Sequence, residues 1–250
     1  MGPIMCDIFA LSAGYNYTAQ QYLPLFAEKG KRNMNGWGIG FYRENQALVE
    51  KSAEQVYCEH QVHESFQRLA RVIDSRIIVS HISCPLSGGR HSSDNHPFSL
   101  PFLDHVWLFV HVGVVHEIER YQTVYQPRLE PEVYPARIFE FLRDQLVAIM
   151  EYNAYENLLA ALQTAISRLL AAYPGRYNFF LANESLLFAF SNFHSLKVLR
   201  DSGTLGDILL VTSVAEGLSQ KEWIEIDPVE SSVGKLLVVA GPDILYLGDV

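Results

Sequence analysis

The chain has 250 residues, 49% of them hydrophobic, and a formal net charge of −9. That is apolar material enough for a substantial core, and the acidic balance argues against broad attraction to nucleic acid or to an anionic membrane. No apolar run reaches the roughly 18 residues of a membrane helix, and three widely spaced cysteines (Cys6, Cys58, Cys84) suit a reducing cytoplasm better than a disulfide framework.

Residues 1–5 lack a basic segment followed by an apolar stretch, so no secretory signal is expected there. They read as a leader or artificial extension ahead of a single domain, 6–250. Cys6–Ala13 is short, apolar and partly β-branched, the pattern of a strand, with a turn at Gly14-Tyr15-Asn16. Thr18 with Gln21 three positions on makes a capping-box pattern that opens a helix through about Glu28. After a polar loop, Lys29–Asn35, the segments Trp37–Tyr42 and Gln46–Lys51 read as a hairpin across Arg43–Asn45. The spacing of Val62, Phe66, Leu69 and Val72 predicts a helix over Glu59–Ile73.

Arg76–His81 reads as a buried strand, and Ile82–Ser99 as a long loop rich in serine, glycine and histidine, a length usually reserved for function. Val106–Val112 is a further strand. Two helices follow, Tyr134–Met150 and Ala154–Tyr173, the second with Asn153 as N-cap, Glu156 at N3 and a stop at Pro174-Gly175. Strands are then expected at Tyr177–Leu181, Leu186–Ser191, Asp207–Thr212, Leu236–Ala240 and Ile244–Leu247. Strands on both sides of a helical block predict an α+β architecture of two sheets sandwiched by helices.

Four features carry chemistry. Cys6 opens a strand directly after a methionine; as an amino-terminal residue its own α-amine, titrating near the thiol, could serve as general base. Buried strand cysteine is the plainer alternative. The run Asn35-Gly36-Trp37-Gly38-Ile39-Gly40-Phe41-Tyr42 puts its glycines on one strand face, open to close approach, and Trp37, Ile39 and Phe41 on the other. It is neither a P-loop nor a dinucleotide fingerprint, because no Gly-Lys-Ser/Thr and no helix follow. Asn95-His96-Pro97-Phe98 lies in the long loop with His91 and Ser92, and His111-Val112-Gly113 ends an apolar strand.

In this order the pieces resemble class II glutamine amidotransferases, specifically the small stand-alone members with a Gly-Trp-Gly-Ile-Gly motif. Met5-Cys6-Asp7-Ile8-Phe9-Ala10-Leu11-Ser12 is similar to their processed start, and Asn35–Tyr42 to their glycine-rich strand, with Asn35 where Asp is usual. Ser80-His81-Ile82 and Asn95–Phe98 are similar to the region that grips the substrate carboxylate, and Leu209–Val214 and Gly234–Gly241 to the closing strands. The resemblance implies a four-layer αββα sandwich of the N-terminal nucleophile hydrolase type. It implies Cys6 as nucleophile, Gly113 as oxyanion donor, and Gly36, Trp37, His81, Ser83, His96 and Val112 around the substrate.

Three positions depart from the family. Ser83 stands where an Arg pairs with the α-carboxylate of glutamine, and serine cannot supply that charge; Arg90 lies downstream on the Gly88-Gly89 hinge. Val112 stands where an Asn side chain completes the oxyanion hole, a donor worth roughly 3–4 kcal/mol. Val133-Tyr134-Pro135-Ala136 lacks the acid that binds the α-amino group, though Glu130 and Glu132 are close in sequence. Two readings follow: an amidohydrolase acting on glutamine or a variant amide, or a degenerate relative that binds a partner without hydrolysis. A protein partner could accept ammonia, since no synthase domain follows.

No metal or cofactor is expected. His81, His91, His96, His111 and His116 cluster in sequence, but the His111–His116 interval is not the His-x-x-x-His spacing and no Cys-x-x-Cys exists. A serine hydrolase using Ser80, Ser83 or Ser92 lacks the Gly-x-Ser-x-Gly elbow. Cys84, followed by Pro85, reads as a loop cysteine, while Trp223 and Tyr121–Tyr125 read as ordinary packing.

Overall fold

The computed structural model describes residues 6–32, 36–83, 96–130, 133–152, 157–228 and 233–250. In chain order its first elements are β1 (Asp7–Thr18), α1 (Leu23–Ala27), β2 (Trp37–Arg43), β3 (Gln46–Ser52), β4 (Tyr57–Cys58), β5 (Gln61–Val62), α2 (Glu64–Val72) and β6 (Asp74–Ile82). Then come β7 (Phe98–Phe102), β8 (His105–Val115), α3 (Tyr134–Tyr152), α4 (Leu158–Ala172), β9 (Gly175–Ala182), β10 (Leu186–Ser191) and β11 (Leu196–Ser202). The last four strands are β12 (Asp207–Thr212), β13 (Ile224–Ile226), β14 (Lys235–Ala240) and β15 (Asp243–Asp249).

Two large antiparallel sheets form. One runs β13-β11-β12-β1-β6-β2-β3 and the other β15-β14-β10-β9-β8-β7. Side-chain alternation sends each sheet's two faces to different layers. Ile8 and Ala10 of β1, Ile77 and Val79 of β6, Leu108 and Val110 of β8, and Phe180 of β9 meet between the sheets. Phe9, Leu11, Trp37, Ile39 and Ile78 face outward onto Phe26 of α1 and Phe66 of α2. On the far side Trp107, Phe109, Phe179 and Phe188 pack on Ile138, Phe139 and Leu142 of α3 and on Leu162 and Ile166 of α4. The result is the expected four-layer αββα sandwich. Among the described residues no helix is long and apolar enough to cross a membrane.

The glycine face of β2 is used for close approach. A β-carbon on Gly38 would collide with the His96 carbonyl oxygen, and one on Gly40 would crowd Leu108 and Pro97. The backbone entering the second sheet therefore lies directly on the first, a separation that only side-chain-free positions permit.

Several elements differ from the sequence expectation. β1 runs through Gly14–Asn16, which becomes a bulge: its register with β6 shifts between Ser12 and Tyr17. The capping box at Thr18 does not form, since that side chain makes no cap bond. Only Leu23–Ala27 is α-helical there, because Pro24 has no N–H to continue a helix begun earlier. The first half of the helix expected from Glu59 is instead the β4–β5 hairpin, turned by Glu59 and His60 at φ 47° and 66°. Its second half is α2, which leaves Val72 58% exposed. α4 starts at Leu158, capped by Asn157, whose side-chain oxygen accepts the Ala160 N–H at 2.8 Å. The caps expected at Asn153 and Glu156 fall outside the described residues. Strands β7, β11 and β13 were not anticipated. The charged residues of β11 that obscure its pattern are matched, Lys197 across the ladder to Glu225 of β13 at 2.6 Å and Arg200 to Asp243 of β15 in the other sheet at 2.5 Å.

Candidate active site

Cys6 precedes β1, the middle strand of the seven-stranded sheet, and is partly exposed. Its side chain packs against the between-sheet cluster, the same cluster that contains Val112. Alternation along β1 puts its neighbour Asp7 on the opposite, helix-facing side.

Register defines what lies beside Cys6. Ile82 of β6 pairs with both Asp7 and Trp37, and His81 pairs with both Ile8 and Gly38. One step outward along the same ladders, Ser83 donates its backbone N–H to the Gly36 carbonyl at 3.0 Å. Cys6, Ser83 and Gly36 thus form one row across the three strands, with the Cys6 and Ser83 side chains on the face toward the second sheet. Ser83 is only 1% exposed, and its hydroxyl lies 3.4 Å from His81 Nδ1. The His81 ring is 4.5 Å from that of His96, which in turn meets Phe98 at 4.8 Å. The structure therefore brings Gly36, His81, Ser83 and His96 together at this end of the sheet.

Across the interface, β8 ends in His111-Val112-Gly113. Val112 is 7% exposed and belongs to the between-sheet cluster. Gly113 has φ +148°, and a β-carbon there would strike the Arg176 carbonyl oxygen, so glycine is required. The Gly113 carbonyl accepts the Tyr134 hydroxyl at 3.0 Å, which ties the start of α3 to the strand end.

His111 faces the helices instead. Its ring stacks 6.4 Å from Phe109 and meets Tyr134 and Tyr177 edge-on at 6.0 and 5.7 Å. Neither ring nitrogen makes a well-formed hydrogen bond among the described residues. Burial pushes its imidazole down to about 3, the nearby Arg176 carbonyl offsetting only part of that. A base held below its unfolded value stabilises the fold fully above that value and loses its contribution as pH falls toward the folded one. Chemical denaturation should accordingly show roughly 2–3 kcal/mol lost through His111 between about pH 7 and pH 4.5. His111→Phe should flatten that part of the profile; an unchanged slope would contradict the assignment.

Trp37 is separated from this group. Its ring is 2% exposed and packs 5.1 Å from Phe66 of α2, on the other face of β2 from Gly38. As a substrate contact it could offer only its backbone, because the alternation that frees the glycine face turns the indole into the core. Asn35, Cys84, Arg90, His91, Ser92, Asn95 and Glu132 lie outside the described residues. Lys51, cross-strand from Gly38, has its ammonium 4.8 Å from the Phe98 ring. No group of three or more His, Cys, Asp or Glu among the described residues could hold a metal ion.

Two sets of polar residues escaped the sequence reading. One is Ser213, which bonds the start of β1 from just beyond β12. The other is a buried charge network on α3: Arg137 to Glu140 and Arg143 to Asp144, each at 2.6 Å. It holds the segment before the helix, since Glu140 accepts the Leu129 N–H at 2.8 Å and Arg143 donates to the Pro127 carbonyl at 2.8 Å. Tyr121 packs there on Phe141 and donates to Asp144 at 2.7 Å, as expected of an ordinary packing residue. The i, i+3 pairing of Arg137 with Glu140 was the available signal, but it reads equally as a solvated helix face.

Comparison with known proteins adds the following. The family described as glutamine amidotransferases class-II matches residues 5–208. No curated protein matches by sequence. Among solved structures, a predicted glutamine amidotransferase from Pseudomonas aeruginosa is 16% identical with TM-score 0.66, covering 96% of this chain and 100% of that one. The glutamine phosphoribosylpyrophosphate amidotransferase of B. subtilis is 12% identical with TM-score 0.65; 98% of this chain aligns with 49% of that longer one. A glutamine aminotransferase class-II domain protein from Silicibacter pomeroyi is 15% identical with TM-score 0.56, covering 97% and 98% of the two chains. At these identities the structural likeness speaks for the fold.

Proposed function

The chain belongs to the class-II glutamine amidotransferases, and from that premise we propose that it is an amidohydrolase whose nucleophile is Cys6, freed as the amino-terminal residue of one domain, 6–250. The thiolate adds to an amide carbonyl while the Cys6 α-amine takes the thiol proton. The amine returns that proton to the departing nitrogen, ammonia leaves, and water hydrolyses the thioester to the acid. The Gly113 N–H steadies the oxyanion. Gly36 forms backbone wall, and His81 and His96 brace the pocket rather than transfer protons.

The observation that supports this reading is the row of Cys6, Ser83 and Gly36 across the three central strands, with Val112 in the between-sheet cluster that Cys6 packs against. The same residues inform the substrate. Ser83 is a buried neutral hydroxyl set against His81, so no charge from that place pairs with a carboxylate, which favours a small amide, glutamine or a variant of it, held without an arginine there. Ammonia release further suggests a protein partner that consumes it. A second reading, a binding or scaffold role without hydrolysis, is favoured by one feature: Val112 puts a buried aliphatic side chain where an oxyanion donor would serve.

Mass spectrometry of the protein from its native host tests the proposal. A chain beginning at Cys6 is the expected result, together with labelling of Cys6 by an amide-mimicking electrophile. Retention of any residue before Cys6 removes the general base and leaves the binding reading.

A further inference from the structure

We propose that Asp7 and Ser213 form a positioning pair that holds Cys6 from the face of β1 opposite its thiol. This inference rests on Cys6 being the nucleophile. The Ser213 hydroxyl accepts the Ile8 N–H at 3.0 Å and donates to Asp7 Oδ1 at 3.1 Å. One proton and one lone pair are thereby committed, and the carboxylate fixes which way the hydroxyl points. The Ile8 carbonyl is already held by the Ser213 N–H at 3.0 Å and by the Thr212 hydroxyl at 2.8 Å, and at 3.5 Å it is the longer, competing acceptor for the Ser213 hydroxyl. Strand pairing at Ile8 therefore has its own supports, and the carboxylate adds orientation at the one residue separating them from Cys6.

The arrangement is not a packing convenience. Burial pushes the Asp7 carboxyl up to about 6, against the opposing pull of the Ser213 hydrogen bond and of Lys29. Two charged groups bear on it: Lys29, from the turn Glu28–Arg32 that follows α1, and, once Cys6 is amino-terminal, the Cys6 α-ammonium one residue away, which pulls in the same lowering direction as Lys29. β6 presents Ile82 opposite Asp7, and the end of β12 presents only the hydroxyl. A carboxylate raised above its unfolded value makes the folded state less stable once pH rises through the folded value. Asp7→Asn, which keeps an acceptor and drops the charge, should consequently melt higher than wild type at about pH 7.5.

Alkylation by iodoacetamide provides a readout that needs no substrate. Rates at Cys6 and at Cys58, which is also half-buried but lies on the β4–β5 hairpin, are read on the same molecules by peptide mass spectrometry from about pH 5 to pH 8. In the wild type the Cys6-to-Cys58 rate ratio should step by about threefold near pH 6, as the Asp7 carboxylate forms and orients the hydroxyl. Asp7→Asn and Ser213→Ala should each abolish the step, and Ser213→Thr should retain it, with melting curves confirming that all are folded. A flat wild-type ratio, or a step that persists in Asp7→Asn or Ser213→Ala, overturns the pair. The same spectra show whether the chain begins at Cys6, so failure of the nucleophile reading is seen separately from failure of the clamp.

Discussion

Cys6→Ala protein is expected to release no more ammonia than buffer from any amide that the wild type hydrolyses, a loss of about 10⁴–10⁶-fold in kcat. The size of the loss follows from the mechanism, in which one residue supplies both the nucleophile and, through its α-amine, the base. Cys58 cannot compensate, since it sits in the β4–β5 hairpin, away from the between-sheet cluster that Cys6 joins. Cys6→Ser should also lose most of its activity, because an alcohol is a much weaker acid than a thiol and the amine can take its proton only as the oxygen attacks, a slower step than attack by a ready thiolate. Ammonia release across glutamine, asparagine and uncharged acyl amides is the measurement. Activity surviving in Cys6→Ala would place the chemistry elsewhere and end the proposal.

Val112→Asn is expected to act in the opposite direction, raising kcat by about 10²–10³-fold with little change in KM. An oxyanion-hole donor works mainly in the transition state, and one such donor is worth roughly 3–4 kcal/mol. Val112 belongs to the cluster that Cys6 packs against and directly precedes Gly113, whose backbone is fixed by the Tyr134 hydroxyl. An amide at that position would enter the between-sheet cluster that Cys6 packs against, from a strand end tied to α3. Burying it among aliphatic side chains should cost about 1–3 kcal/mol of stability, seen as a lower melting temperature. A folded variant with no gain on any amide would favour the binding role.

Much of the fold could be read because local pattern and tertiary demand agree. The glycines of β2 share one face and its apolar residues the other, and each face found the neighbour it suits: the His96 backbone on one side, α2 on the other. Where they disagree, the sequence misled. Glu59 and His60 lie in a helical-looking stretch, yet both adopt left-handed φ and turn a hairpin. The site divides in the same way. Cys6, Ser83 and Gly36 were visible because each stands in or beside a motif, while Ser213 was not, since it meets Asp7 across 206 positions of chain. Arg143 and Asp144 look like surface charges, and their burial becomes plain only once the segment before α3 folds back over them.

β1 finds its partners at very unequal distances along the chain: β6 within the first third, β12 only at Thr212. At roughly 5–20 residues per second, a ribosome needs about 10–40 s after making Cys6 to deliver Ser213. During that interval the strand lacks one of its two neighbours, and the amino end has no clamp. If Cys6 is freed by trimming, as proposed, that interval is when the cut would meet a strand still without β12 and without the Ser213 contact. The order of strands in the gene thus sets when the amino end of β1 gains its second neighbour.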